Sequence, residues 1–199
     1  MSMGKWIGGF LGLMAGGPLG AIAGFVLGSL FDSNDKAEPS VGNGQGQQQY
    51  SQQQYYEGQR NTFRFSLLVL ASYIVRIDGK VMHSEMNVVR AFLRQTFGEQ
   101  AVVEGEQIML KLFEQQKRLG MAEFRTAVFS SCQQLSQYMA YEQRLELVHF
   151  LVIIAQADGV VSTEEVTALR ECAAHLGVDR QDLDSMLNLQ DASSSLDAA

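Results

Sequence analysis

Ile77-Asp78-Gly79-Lys80-Val81-Met82-His83-Ser84-Glu85 returns 80 residues later as Ala157-Asp158-Gly159-Val160-Val161-Ser162-Thr163-Glu164-Glu165. Each copy follows a long apolar stretch and precedes an amphipathic one, so the unit repeated is a pair of helices joined by an acidic turn. The second helix of each pair ends at a glycine, Gly98 and Gly177. Two such pairs are expected to pack about a pseudo-twofold axis.

Outward from the repeat, apolar residues keep helical spacing. The stripes are Phe63-Leu67-Leu70-Ile74-Ile77, Val89-Phe92-Leu93-Phe97, Ile108-Leu112-Phe113, Phe124-Val128-Cys132-Leu135, Leu145-Val148-Leu151-Val152-Ala155, Val166-Leu169-Ala173-Leu176 and Leu183-Met186-Leu187. No proline falls between residues 40 and 199, and no strand-like alternation competes. The region 62–190 therefore reads as an all-α bundle of seven helices, followed by a polar tail at 191–199.

Local physics accounts for the turn pattern. Asp-Gly ends a helix, with Gly in the left-handed conformation and Asp bonding its own backbone. Val81 and Val161 are expected to tuck back as the apolar contact. Ser162 and Glu165 have capping-box spacing; Met82 has no hydroxyl, so Glu85 is expected to act through the helix dipole or a basic partner. A second reading is chemical. If the turns face each other, Asp78, Glu85, Asp158 and Glu165 converge, and a hard divalent cation is the natural occupant. Neither copy has the alternating acidic ladder of an EF-hand loop. Both readings stand at this point, with no other cofactor expected.

The first 31 residues have a different composition. Gly4, Gly8, Gly12, Gly16, Gly20, Gly24 and Gly28 recur every fourth residue, and Trp6 to Phe31 carries no charge. As one helix this stretch would be about 39 Å long, enough for the roughly 30 Å hydrocarbon core with some tilt. The expectation is a transmembrane anchor at 1–31 that contacts membrane lipid. Gly8, Gly12, Gly16, Gly20, Gly24 and Gly28 would form a groove for a second helix and make the chain a homodimer. Lys5 and Ala21-Ile22-Ala23 could instead belong to a cleaved signal peptide, but the apolar run continues past them. Pro18 is expected to kink the span; a turn at Gly16-Gly17-Pro18 would leave two arms each too short to cross. Basic residues on the two flanks nearly tie, so charge does not orient the span.

Residues 32–61 are rich in Gly, Gln and Tyr, including Gly42-Asn43-Gly44-Gln45-Gly46-Gln47-Gln48-Gln49, and read as a disordered linker of roughly 30 Å reach. Residues 62–199 hold 12 basic against 18 acidic side chains, a balance of −6 with no basic cluster. That sign excludes a phosphate-neutralising nucleic-acid binder. Two cysteines, Cys132 and Cys172, fall on apolar helix faces, which fits a reduced compartment. His83, His149 and His175 have no partner at a ligand or triad spacing, with His149 expected in the core. Ser130-Ser131 and Ser193-Ser194-Ser195 lack a nucleophile-elbow context. No enzyme activity is expected.

The turns Asp78-Gly79-x-Val81-x-x-x-Glu85 and Asp158-Gly159-x-Val161-x-x-x-Glu165 resemble the TerB-like, tellurite-resistance helical domain. Together with the glycine-rich N-terminal segment, the order resembles the N-terminal part of DjlA-like, membrane-anchored DnaJ co-chaperones. That resemblance implies a single span in a bacterial inner membrane with the helical domain in the cytosol. It implies an adaptor whose J-domain would act on a DnaK-type chaperone. The only prolines are Pro18 and Pro39, so the His-Pro-Asp tripeptide of a J-domain is absent from this sequence. The expectation is a chain cut before a J-domain or a homologue lacking one. The alternative is a cation-binding stress-response protein of the TerB type.

Overall fold

Two central helices carry the architecture, and each opens one copy of the repeat. The computed structural model describes residues 17–32 and 52–194. Over these residues the chain is entirely helical: α1 (Pro18–Asp32), α2 (Gln52–Ile74), α3 (His83–Phe97), α4 (Glu99–Leu119), α5 (Met121–Tyr138), α6 (Tyr141–Ala155), α7 (Thr163–Leu176) and α8 (Arg180–Ser194). The seven apolar stripes correspond to α2 through α8.

α2 is buried on every side from Arg64 to Val75, not along a single stripe. The sequence Phe65-Ser66-Leu67-Leu68-Val69-Leu70-Ala71-Ser72-Tyr73-Ile74-Val75 explains this, since a helix apolar all round belongs inside a bundle. Its two buried serines bond within the helix: Ser66 Oγ donates to the Thr62 carbonyl and Ser72 Oγ to the Val69 carbonyl, both at 2.7 Å. α6 has the same character, with Leu147, Val148, Leu151, Val152, Ile154 and Ala155 in the core. Truncating a fully buried ring such as Phe65 to Ala would cost about 3–5 kcal/mol.

The duplication is visible in the packing. α2 and α6 pack on each other; α3 lies on α6, and its counterpart α7 lies on α2. α4 covers α2 and α3, as α8 covers α6 and α7. Phe92 of α3 meets Phe150 of α6, ring centroids 4.2 Å apart. α5 falls outside the repeat and packs against α7, α4 and α1.

The helix ends follow the sequence. Gly177 takes the left-handed conformation at φ 68°, and its N–H bonds to the Ala173 carbonyl. A Cβ there would lie 2.8 Å from Arg144 Nη1, which donates to the Leu176 carbonyl at 2.6 Å and so caps α7 in place of water. No sequence spacing pointed to Arg144.

Three expectations change. α2 starts at Gln52, inside the stretch read as linker, because the aromatic-rich residues before Thr62 continue the helix that the core nucleates. His149 is exposed rather than in the core, on the outer side of α6. The apolar N-terminal segment does not run as one helix to Phe31: Gly17 has φ 114° and α1 begins at Pro18. Proline at the first helical position loses no intrahelical bond, so Pro18 starts a helix here and does not kink one. At 15 residues α1 is about 22 Å long, and no helix among the described residues is long and apolar enough to cross a membrane. Gly8, Gly12 and Gly16 lie outside the described residues.

α1 lies against α4 and α5 of the bundle. Leu19, Ile22, Ala23 and Val26 face inward and are at most 2 % exposed. Gly24 and Gly28 face open space, with nothing within 4 Å of where a Cβ would stand, and Gly20 is half-buried.

Candidate functional site

The acidic turns are built alike. After α2 the backbone continues as a tightened turn in which the Gly79 N–H bonds to the Arg76 carbonyl; after α6 the Gly159 N–H bonds to the Gln156 carbonyl, both at 3.0 Å. Gly79 and Gly159 sit at φ 82° and 85°. They therefore close a second turn beyond the helix instead of capping the helix itself. Asp78 Oδ1 accepts from the Lys80 N–H at 2.9 Å, and Asp158 Oδ1 accepts from the Val160 N–H at 3.0 Å. Each aspartate is spent partly on its own turn, and both are exposed.

The glutamates lie deeper. Glu85 is 5 % and Glu165 8 % exposed, both at the third position of their helices. Glu165 Oε2 accepts from the Ser162 N–H at 2.7 Å and from Ser162 Oγ at 2.8 Å, while the Glu165 N–H donates to Ser162 Oγ at 3.2 Å. This is a complete capping box. In the first copy Glu85 Oε2 accepts from the Met82 N–H at 2.9 Å. Half of the box survives without a hydroxyl: of the helix dipole or basic partner that the sequence suggested for Glu85, the first-turn position keeps the dipole, and the bond it makes is to the Met82 backbone.

The four carboxylates converge electrostatically. Burial pushes the Glu85 carboxyl up to about 7; the Met82 N–H opposes the rise, and the charges of Glu165, Asp78 and Asp158 add to it. The two turns therefore lie near enough across the pseudo-dyad for each copy to be felt by the other. Among the described residues, however, no three His, Cys, Asp or Glu side chains stand close enough to share a metal ion. Both glutamates are buried, while both aspartates are exposed.

Apolar side chains stand exposed on the turns themselves. Val160 is 73 % exposed, Val81 43 % and Met82 40 %. Only Val161 tucks against the core as expected of both valines; Val81 stays in solvent. Elsewhere, Cys132 and Cys172 are buried and free. A hydrogen bond with Cys132, then burial, push the Cys172 thiol well up, so it stays protonated and acts as a small hydrophobe. His175 stacks on Phe129, centroids 4.6 Å apart, and its Nδ1 lies 3.2 Å from Gln133 Nε2.

Residues 64–188 match the family described as tellurite resistance protein TerB. The chain belongs to the TerB family. Ahead of the TerB domain, residues 1–50 match the co-chaperone DjlA transmembrane domain. No curated protein and no solved structure matches the chain. The two matches, in this order, make the chain a DjlA-like N-terminal part, a membrane-associated segment followed by a TerB domain, as the resemblance implied. The paired turns that carried the resemblance both lie inside the TerB match.

Proposed function

We propose that this chain is the anchoring and adaptor part of a DjlA-like co-chaperone, working by binding and not by catalysis. The observation that carries the reading is the order of its two segments, a DjlA transmembrane domain at 1–50 and a TerB domain at 64–188. The anchor holds the TerB domain at a bacterial inner membrane on the cytosolic side, where its acidic surface is repelled by anionic headgroups. Gly8, Gly12, Gly16, Gly20, Gly24 and Gly28 pair two copies once lipid draws the segment into one helix through Gly17. Action on a DnaK-type chaperone would pass through a J-domain, whose His-Pro-Asp tripeptide these residues do not contain.

An immunoblot of native membranes, with antibody raised against residues 62–199, tests this reading. A band well above the 22.0 kDa of this chain supports an adaptor within a longer co-chaperone. A band at 22.0 kDa counts against it. Replacing Gly12, Gly16 and Gly20 by Leu is expected to abolish dimers crosslinked in membranes while the TerB domain stays folded; persisting dimers overturn the pairing.

The second reading is cation binding at the turns, favoured by the Glu85 carboxyl, which burial first and then the charges of Glu165, Asp78 and Asp158 make costly to ionise. A divalent ion would offset that repulsion. Calorimetric titration with Ca²⁺, Mg²⁺ and Zn²⁺, with the Asp78→Ala/Asp158→Ala variant alongside, decides it. Heat lost in a folded variant supports the site, and no heat from the parent chain removes it.

A further inference from the structure

The inward face of α1 belongs to a segment that the DjlA transmembrane match also covers. Leu19, Ile22, Ala23 and Val26 stand at i, i+3, i+4 and i+7, and each is buried against the bundle. Two further contacts fix the register. The Leu19 N–H, an orphan donor in the first turn of α1, donates to Gln134 Oε1 of α5 at 3.3 Å. The Arg118 guanidinium at the end of α4 sits over the Phe25 ring, 4.2 Å from its centroid. Bilayer hydrocarbon can bury the same four side chains, but it offers neither the amide acceptor nor the cation.

We propose that the α4–α5 face of the TerB domain is a lipid-free seat for the chain's own segment 17–32, exchanged for the bilayer when the anchor inserts. The segment cannot be buried in both places, because its inward face is single. Seated, it is shielded from water and the α4–α5 face is covered. Inserted, it leaves that face open beside the membrane. Gln134 and Arg118 are the selective elements, since they hold the segment in the seat and contribute nothing to its partition into lipid. This inference rests on the anchor reading above, so its test reports seat and anchor separately.

The full chain carrying Phe25→p-benzoylphenylalanine is synthesised in a cell-free system without lipid, then with vesicles of phosphatidylethanolamine and phosphatidylglycerol. Crosslinks are mapped by mass spectrometry, and flotation reports membrane binding. The expected result is crosslinking to α4 or α5 within one chain in the absence of lipid, lost as the chain floats with vesicles. The Arg118→Ala/Gln134→Ala variant, with its segment unchanged, should lower the lipid-free crosslink and raise the floated fraction by about tenfold, the combined effect of one hydrogen bond and one cation–π contact. No lipid-free crosslink to α4 or α5, or crosslinks only between isotopically distinct copies, overturns the seat whatever the flotation. A crosslink that persists in floated chains, or a variant that partitions as the parent does, overturns the exchange. A chain that crosslinks but never floats overturns the anchor reading and the exchange together.

Discussion

The two acidic turns have the same backbone and different chemistry. Gly79 and Gly159 differ by 3° in φ, at 82° and 85°, and both aspartates accept from the amide two residues on. At the helix start they part. Ser162 gives the second turn a reciprocal box, and Glu165 answers three contacts with Ser162. Met82 leaves Glu85 with one backbone bond, under the same burial and facing the other copy's charges. One turn is a cap with a carboxylate in it; the other is a buried carboxylate with half a cap. The duplication has kept the fold-giving residues in both copies while the stabilising ones differ.

That contrast can be broken most forcefully at the glutamates. Glu165→Ala removes the acceptor for the Ser162 N–H and hydroxyl and should cost about 2–3 kcal/mol, whereas Glu85→Ala at pH 8 should cost under about 1 kcal/mol. Urea unfolding of the two variants compares them; equal losses would show that the turns do not differ in this way.

Next in size is a pH effect confined to the first copy. Glu85 binds its proton more tightly folded, near pH 7, than unfolded, near the ordinary carboxylate value of 4.5. Its contribution is therefore fully present below about pH 4.5 and is lost as pH rises through 7. Glu85→Gln should gain about 1–2 kcal/mol over the parent chain at pH 8 and lose that advantage near pH 4.5, read as the difference between two melting series. A variant that tracks the parent at every pH would place the buried charge elsewhere.

Comparable in size is the effect of the common backbone. Gly79→Ala and Gly159→Ala should each destabilise by about 1–2 kcal/mol, because both positions need positive φ, and by nearly the same amount. A twofold disparity would show that neighbours, and not the conformation, decide the cost. The smallest change makes the copies alike: Met82→Ser should complete the first box and stabilise by about 0.5–1 kcal/mol, seen as a raised Tm. No gain would mean that the Glu85 carboxylate already satisfies that helix start.

A second contrast lies between the second half of α2 and α1, both strongly apolar. α2 is surrounded by α4, α5, α6 and α7, whereas α1 is covered on one side only. The stripe Phe63-Leu67-Leu70-Ile74 found the helix but undercounted its burial, since a run apolar on all faces has no period to detect. For α1 the reading of glycine spacing emphasised Gly20, Gly24 and Gly28, and the structure uses Leu19, Ile22, Ala23 and Val26. Glycine offers no side chain to bury, so an aqueous seat selects the aliphatic face.

By itself the sequence determined what is local: seven helical stripes, the glycine at which α7 turns out, the Ser162–Glu165 box and the 80-residue repeat. Spacing and backbone conformation act over a few residues, so they can be read in order along the chain. Only the tertiary structure decided that α2 and α6 pack together with α3 on α6 and α7 on α2, and that Glu85 is buried, which first of all pushes its carboxyl up to about 7 while Glu165 adds to the rise. It also decided that Gln134 and Arg118 receive residues more than 90 positions away. Such encounters depend on which helix faces meet, and a helix's own period says which face is apolar without saying what will cover it.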